Sequence, residues 1–201
     1  MATQRSMSMN DERSLIEQIV ELELKMFLSV PADGRYSCQE HPDGFRLHRK
    51  AQFSIWSRDT LDSYLQDLRL AQDEGRNLMT MKYARMDDLI PRENLNPLID
   101  EIAAIQYRWQ QEMFEKYPTL MAGARPLSSS EDSPSGTSFE TYLRGELETY
   151  SDNTLSLLYR DMTNLLKREI NGSEEVYSNL VKQLGYDSIE DAERSQQDRR
   201  G

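Results

Sequence analysis

Glu146 sits where a helix has no use for a free carboxylate. In the run Thr137 to Ser151, Phe139, Tyr142, Leu143, Leu147 and Tyr150 recur at helical spacing, and Glu146, four residues from both Tyr142 and Tyr150, shares their face. A carboxylate on an apolar stripe must be neutralised, paired or used, because an isolated buried charge is costly. The same placement recurs elsewhere in the chain. Glu23 lies on a stripe with Leu15, Ile16, Ile19, Val20 and Phe27. Arg49 and Gln52 fall on the side of Phe45, Phe53 and Trp56, and Lys82 and Arg85 share a face with Leu78, Met86 and Leu89. If these side chains converge, they form a polar pocket of mixed sign, suited to holding a zwitterionic or cationic small molecule and to moving protons. The competing arrangement is an internal salt-bridge network that holds the helices together.

Other chemistry is thinner. Cys38 lies three residues before His41, and a thiolate beside a base is a nucleophile when geometry allows it. Tyr36, Tyr64, Tyr83, Tyr142 and Tyr150 could add hydroxyls to a pocket, although tyrosines in helical proteins mostly pack. The densest basic cluster, Arg46, His48, Arg49, Lys50 and Arg58, lies near Phe53 and Trp56, whose rings read as core rather than as platforms for stacked bases. The Glu-x-x-His pattern of a carboxylate-bridged metal centre is absent, and Cys38 with His41 alone makes a poor zinc site, so no metal is expected. There is no phosphate loop, dinucleotide fingerprint or nucleophile elbow, and hence no cofactor is expected.

The elements that must position these groups are helices. Asn10 or Asp11 can cap the first, which Pro31 and Asp33-Gly34 end. A second spans about Phe45 to Trp56, a third starts at Asp59 or Thr60 and stops at Gly75, and a fourth runs from about Asn77 to Leu89 before Pro91. A long helix from about Pro97 to Lys116 is terminated by Tyr117-Pro118. The Thr137 to Ser151 helix follows, then one from Asn153 or Thr154 ended by Asn171-Gly172, then a shorter one carrying Val176, Leu180, Val181 and Leu184. Without period-two alternation or a long repeat, the pattern predicts an all-α single compact domain of about seven helices over residues 12–190. Residues 121–136, rich in Gly, Pro and Ser, read as a flexible loop, residues 1–11 as a disordered N-terminus and residues 191–201 as a frayed tail.

Composition narrows the class. The 201 residues suffice to bury a real core, and although the hydrophobic fraction of 37% is low, ten Tyr and two Trp with regular periodicity argue against general disorder. No apolar run reaches the ~20 residues that span a bilayer, and Met1 to Asn10 lacks a signal-peptide core, so no membrane partner and a cytoplasmic location are expected. One cysteine allows no internal disulfide. The net charge of -11 repels polyanions, so a nucleic-acid partner would have to meet a local basic patch against an unfavourable background.

Several stretches carry a resemblance: Ser37-Cys38-Gln39, Arg49-Lys50-Ala51-Gln52-Phe53-Ser54-Ile55-Trp56, Gly75-Arg76-Asn77-Leu78, Lys82-Tyr83-Ala84-Arg85-Met86, Leu184-Gly185-Tyr186 and above all Thr137 to Ser151. Together they resemble a helical domain family of bacteria and fungi catalogued as of unknown function, which includes the fungal arginine-containing cyclodipeptide synthases. The likeness covers roughly residues 12–194. It implies an enzyme of secondary metabolism that takes arginine from arginyl-tRNA, joins it to a second aminoacyl group and closes a cyclo(Arg-Xaa) diketopiperazine. No ATP is needed, because the aminoacyl ester is already activated. The chemistry calls for a carboxylate to read the guanidinium, a base to deprotonate the attacking ammonium, and donors for the tetrahedral oxyanion. Placed on the matching positions, Glu23 and Glu146 suit the first two roles and Lys82, Arg85 or Tyr142 the third. Cys38 or Ser37 would serve a covalent aminoacyl-enzyme. The implied catalytic set is then Glu146, Glu23, Cys38 and Tyr142, and the substrate-binding set Arg49, Gln52, Lys82, Arg85, Asn77, Glu140 and Arg144. The acidity of the chain stands against the basic surface expected of a tRNA user.

Overall fold

The computed structural model describes residues 2–31, 41–133 and 136–200. Among them are ten α-helices rather than the expected seven or so: α1 (Ala2–Leu28), α2 (Pro42–Phe53), α3 (Arg58–Asp73), α4 (Leu78–Met86), α5 (Leu98–Lys116), α6 (Pro118–Met121), α7 (Phe139–Leu147), α8 (Asp152–Lys167), α9 (Gly172–Gln183) and α10 (Ile189–Arg200). No strand is present among the described residues, only one isolated bridge between Ser133 and Gly136.

Two of the extra helices have local causes. Tyr117-Pro118 does end α5, but a proline is also preorganised for a first helical turn, and α6 starts on Pro118. The expected frayed tail is instead α10. Its Ile189 and Ala192 are buried with Met113, Tyr117, Met121 and Val181 in a second, smaller core, and the Glu193 carboxylate accepts from the backbone N–H groups of Thr119 and Leu120 at 3.0 and 2.6 Å. A polar segment is thereby docked by capping the start of α6. At the other end α1 runs through Asn10 and Asp11, the expected caps, to Ala2.

Caps set most starts. Ser57, Asn77, Ser138, Ser151 and Asn171 each accept from a backbone N–H at the third residue beyond, which places α3 and α8 one to two residues before the starts read from the sequence. At the far end of α4, Asp88 adopts φ +57° and the Leu89 N–H bonds back to the Ala84 carbonyl. The helix therefore stops at Met86, and Leu89, expected inside, is 74% exposed. The 121–136 segment is tied down among its described residues. Ser128 opens a short 3-10 turn with a capping box to Glu131, Asp132 accepts from the Ser138 N–H and the Thr141 hydroxyl, and the Phe139 N–H bonds to the Pro126 carbonyl.

The main core is built by α1 against α2, α3 and α4, with α3 on α8, α4 on α7, and α5 across α7, α8 and α9. Two reciprocal ties join α3 and α8. Asp161 of α8 accepts from the Ser57 N–H and the Thr60 hydroxyl at the start of α3, and Asp67 of α3 accepts from the Ser151 N–H and the Thr154 hydroxyl at the start of α8.

A buried charge quartet as the candidate functional site

Five of the inward polar residues meet. Glu23 from α1, Arg49 and Gln52 from α2, Lys82 from α4 and Glu146 from α7 form one cluster, in which none of the four charged residues is more than 4% exposed. Arg49 donates from Nε and Nη2 to the two oxygens of Glu23, at 2.7 and 2.5 Å, and from Nη1 to Glu146 at 2.9 Å and Gln52 at 2.7 Å. Lys82 Nζ donates to the other oxygen of Glu146 at 2.5 Å. Two tyrosines complete the set. The Tyr64 hydroxyl donates to Glu23 and the Tyr150 hydroxyl to Glu146, each at 2.6 Å. Two anions face two cations, and among the described residues no buried side-chain nitrogen or oxygen lacks a partner.

Local structure brings these groups into range. Asn77, besides capping α4, donates to the Met26 carbonyl and the Ser29 hydroxyl, fixing the start of the Lys82 helix to the end of the Glu23 helix. Gly145 allows α7 to approach α4, since a Cβ there would lie 3.1 Å from the Lys82 carbonyl oxygen and 3.0 Å from Met86 Cγ. The Arg49 guanidinium also lies over the Phe53 ring, 4.6 Å from its centroid. Tyr142 presents its ring to Lys82 Nζ at 3.5 Å and to the Arg125 guanidinium at 4.6 Å, so a part-buried aromatic and an exposed arginine cover Lys82 on that side.

Electrostatics keep Glu146 and Arg49 ionised. Burial alone would raise the Glu146 pKa, but the charges of Arg49 and Lys82, with hydrogen bonds from Lys82 and Tyr150, outweigh it and hold the carboxyl far below its ordinary range. Burial likewise opposes the charge on Arg49, and Glu146 and Glu23 more than restore it. Tyr64 and Tyr150 are pushed up by burial and by the neighbouring carboxylates, so both stay protonated donors. A carboxylate so strongly stabilised is a weak base for as long as its partners stay in place.

The remaining expected site residues lie apart. Arg85 faces away from the quartet, bonding Glu148, Asp88 and the Ile90 carbonyl, because α4 ends one residue after it. Asn77 is committed to its capping ties. Glu140 accepts from the Ser129 N–H at the start of α7, and Arg144 pairs with Asp100 and Glu140 near the surface. Cys38, Ser37 and Tyr36 lie outside the described residues. The basic cluster is dispersed: Arg46 pairs with Glu21, Arg58 with Asp62, and Arg49 is interior, while Phe53 and Trp56 belong to the core. Burial lowers the His48 pKa. Among the described residues no group of three His, Cys, Asp or Glu could hold a metal ion, and no helix is long and apolar enough to cross a membrane. Asp161 and Asp67, which tie the starts of α3 and α8, give no local signal in the sequence because each bonds to a helix start 84 to 104 residues away.

Comparison with curated proteins and with solved structures gives no significant match. Comparison with protein families does, over residues 13–194, which include the whole quartet and both cores. The chain belongs to the family described as protein of unknown function, DUF4125.

Proposed function

We propose that the chain is an arginine-containing cyclodipeptide synthase, taking arginine from arginyl-tRNA and joining it to a second aminoacyl group. The observation that carries this reading is the convergence of Glu23, Arg49, Gln52, Lys82 and Glu146 from four helices into one charge-balanced cluster, all but Glu23 within stretches that carry the resemblance. In the reaction, the α-amine of one aminoacyl group attacks the ester carbonyl of the other, losing a proton as the tRNA hydroxyl departs. A second attack of the same kind closes the ring. Glu146 and Glu23 are the carboxylates for guanidinium recognition and proton removal, and Lys82 and Tyr142 the groups for the developing oxyanion. With every charged group of the quartet paired internally, catalysis on this reading requires it to open, so that Glu146 regains basicity when Lys82 or Arg49 leaves it.

That closure favours a second reading, a non-catalytic interaction or regulatory module whose quartet is structural. Expression in a heterologous host, with mass spectrometry of the products, separates the two. The synthase reading expects a cyclo(Arg-Xaa) product that disappears in Glu146→Gln while the protein stays soluble. Soluble protein with charged tRNA and no diketopiperazine would leave the module.

A further inference from the structure

Away from the quartet, an open cavity of about 640 Å³ lies between α3, the 93–97 segment and the junction of α7 with α8. Its walls carry two kinds of surface. Leu70 and Leu95, 56% and 72% exposed, stand at this cavity, with Leu78 and Met81 also lining it. Carboxylates of Asp67, Glu93 and Asp152 line it too, and none of the three has a cationic partner among the described residues. Glu148 is neutralised by Arg85 and Arg92 and adds little field, and the one cation in the wall, Arg76, is paired with Glu74.

The walls are preformed. Asn94 donates to the Tyr150 carbonyl at 2.9 Å and Asn96 to Asp152 at 2.7 Å, while their side-chain oxygens accept from the Asn96 and Leu98 N–H groups. Asp67 is fixed by its bonds to Ser151 and Thr154. A rigid concave surface loses little freedom when a ligand enters, and this volume falls within the ~300–1,000 Å³ of small-molecule sites.

We propose that this cavity binds a small organic cation, an amine, amidine or guanidine joined to an apolar group. Glu93, Asp152 and Asp67, which have no cationic partner among the described residues, take the charge and the leucines the apolar part. An overall charge of -11 adds a long-range attraction for such a ligand. The site does not depend on the synthase reading, because Tyr150 turns its hydroxyl away to Glu146 and the quartet takes no part in the cavity.

The test is calorimetric titration of the full chain with benzamidine, which joins an amidinium to an aromatic ring. Benzoate and benzyl alcohol serve as the anionic and neutral probes of the same shape. Glu93→Gln and Leu95→Ser alter exposed side chains on the cavity, and Glu115→Gln alters an exposed one elsewhere. Benzamidine is expected to bind, more weakly as salt rises, with affinity falling about threefold to fivefold in Glu93→Gln and in Leu95→Ser and unchanged in Glu115→Gln. Benzoate should not bind. Absence of benzamidine binding, equal binding of benzoate, or an affinity indifferent to both cavity substitutions would overturn the proposal.

Discussion

Arg49→Ala tests the energetic role of the quartet most directly. The substitution removes four hydrogen bonds and leaves Glu23 with the Tyr64 hydroxyl alone, while Glu146 keeps Lys82, Tyr150 and Gln52. Two buried carboxylates would then face one ammonium. Breaking a buried pair from one side costs about 3–5 kcal/mol, which at ~2–4 °C per kcal/mol for a chain of this size lowers the melting temperature by roughly 6–20 °C. The vacated space keeps the shape of its former occupant, with Glu23, Glu146 and Gln52 around its edge and the Phe53 ring beneath. Methylguanidinium at low concentration should therefore raise the melting temperature of Arg49→Ala and not that of the unsubstituted protein. Thermal unfolding followed by circular dichroism, with and without the cation, reads both effects. A loss within the ~1 kcal/mol typical of an exposed pair, or no selective recovery with methylguanidinium, would show that the quartet is not the closed buried network described.

The same network makes a pH prediction. The Glu146 carboxyl is held far below its ordinary value of 4.5, so its contribution is complete above that value and is lost as pH falls from it toward the lower folded value. Chemical denaturation from pH 7 to pH 3 should show a stability decline that is markedly shallower in Lys82→Met/Glu146→Leu. Gly145→Ala should loosen the α4–α7 contact by about 1–3 kcal/mol and raise hydrogen exchange in α7, because the new Cβ meets the Lys82 carbonyl. Gly172→Ala should cost a similar ~1–3 kcal/mol by thermal melting, since its Cβ would fall 2.6 Å from the Trp109 ring.

The quartet was legible because a charge on an apolar stripe breaks a pattern, and Glu23, Arg49, Lys82 and Glu146 each broke one. Their pairing was not, since it depends on how α1, α2, α4 and α7 cross, and no local spacing encodes a crossing. Arg85 was misplaced for a related reason: the face it shares with Leu89 exists only if α4 continues, and the left-handed turn at Asp88 stops it. Tyr64 and Tyr150 lay on the right stripes but read as packing, because a tyrosine looks apolar until a carboxylate is found at its tip. α10 was hidden most completely. It has two buried apolar residues, and its strongest anchor is a carboxylate capping a helix more than 70 residues earlier.

The two aspartates that join α3 and α8 also bear on how the protein comes apart. Asp161 holds the first turn of α3 and Asp67 the first turn of α8, so each helix carries the lock for the other's beginning. Neither start can fray alone without releasing a hydrogen-bonded carboxylate on its neighbour. Opening is thereby shifted from local breathing at single helix ends to a joint event of the pair, and the amides of Thr60 and Thr154 should exchange with solvent at matched rates.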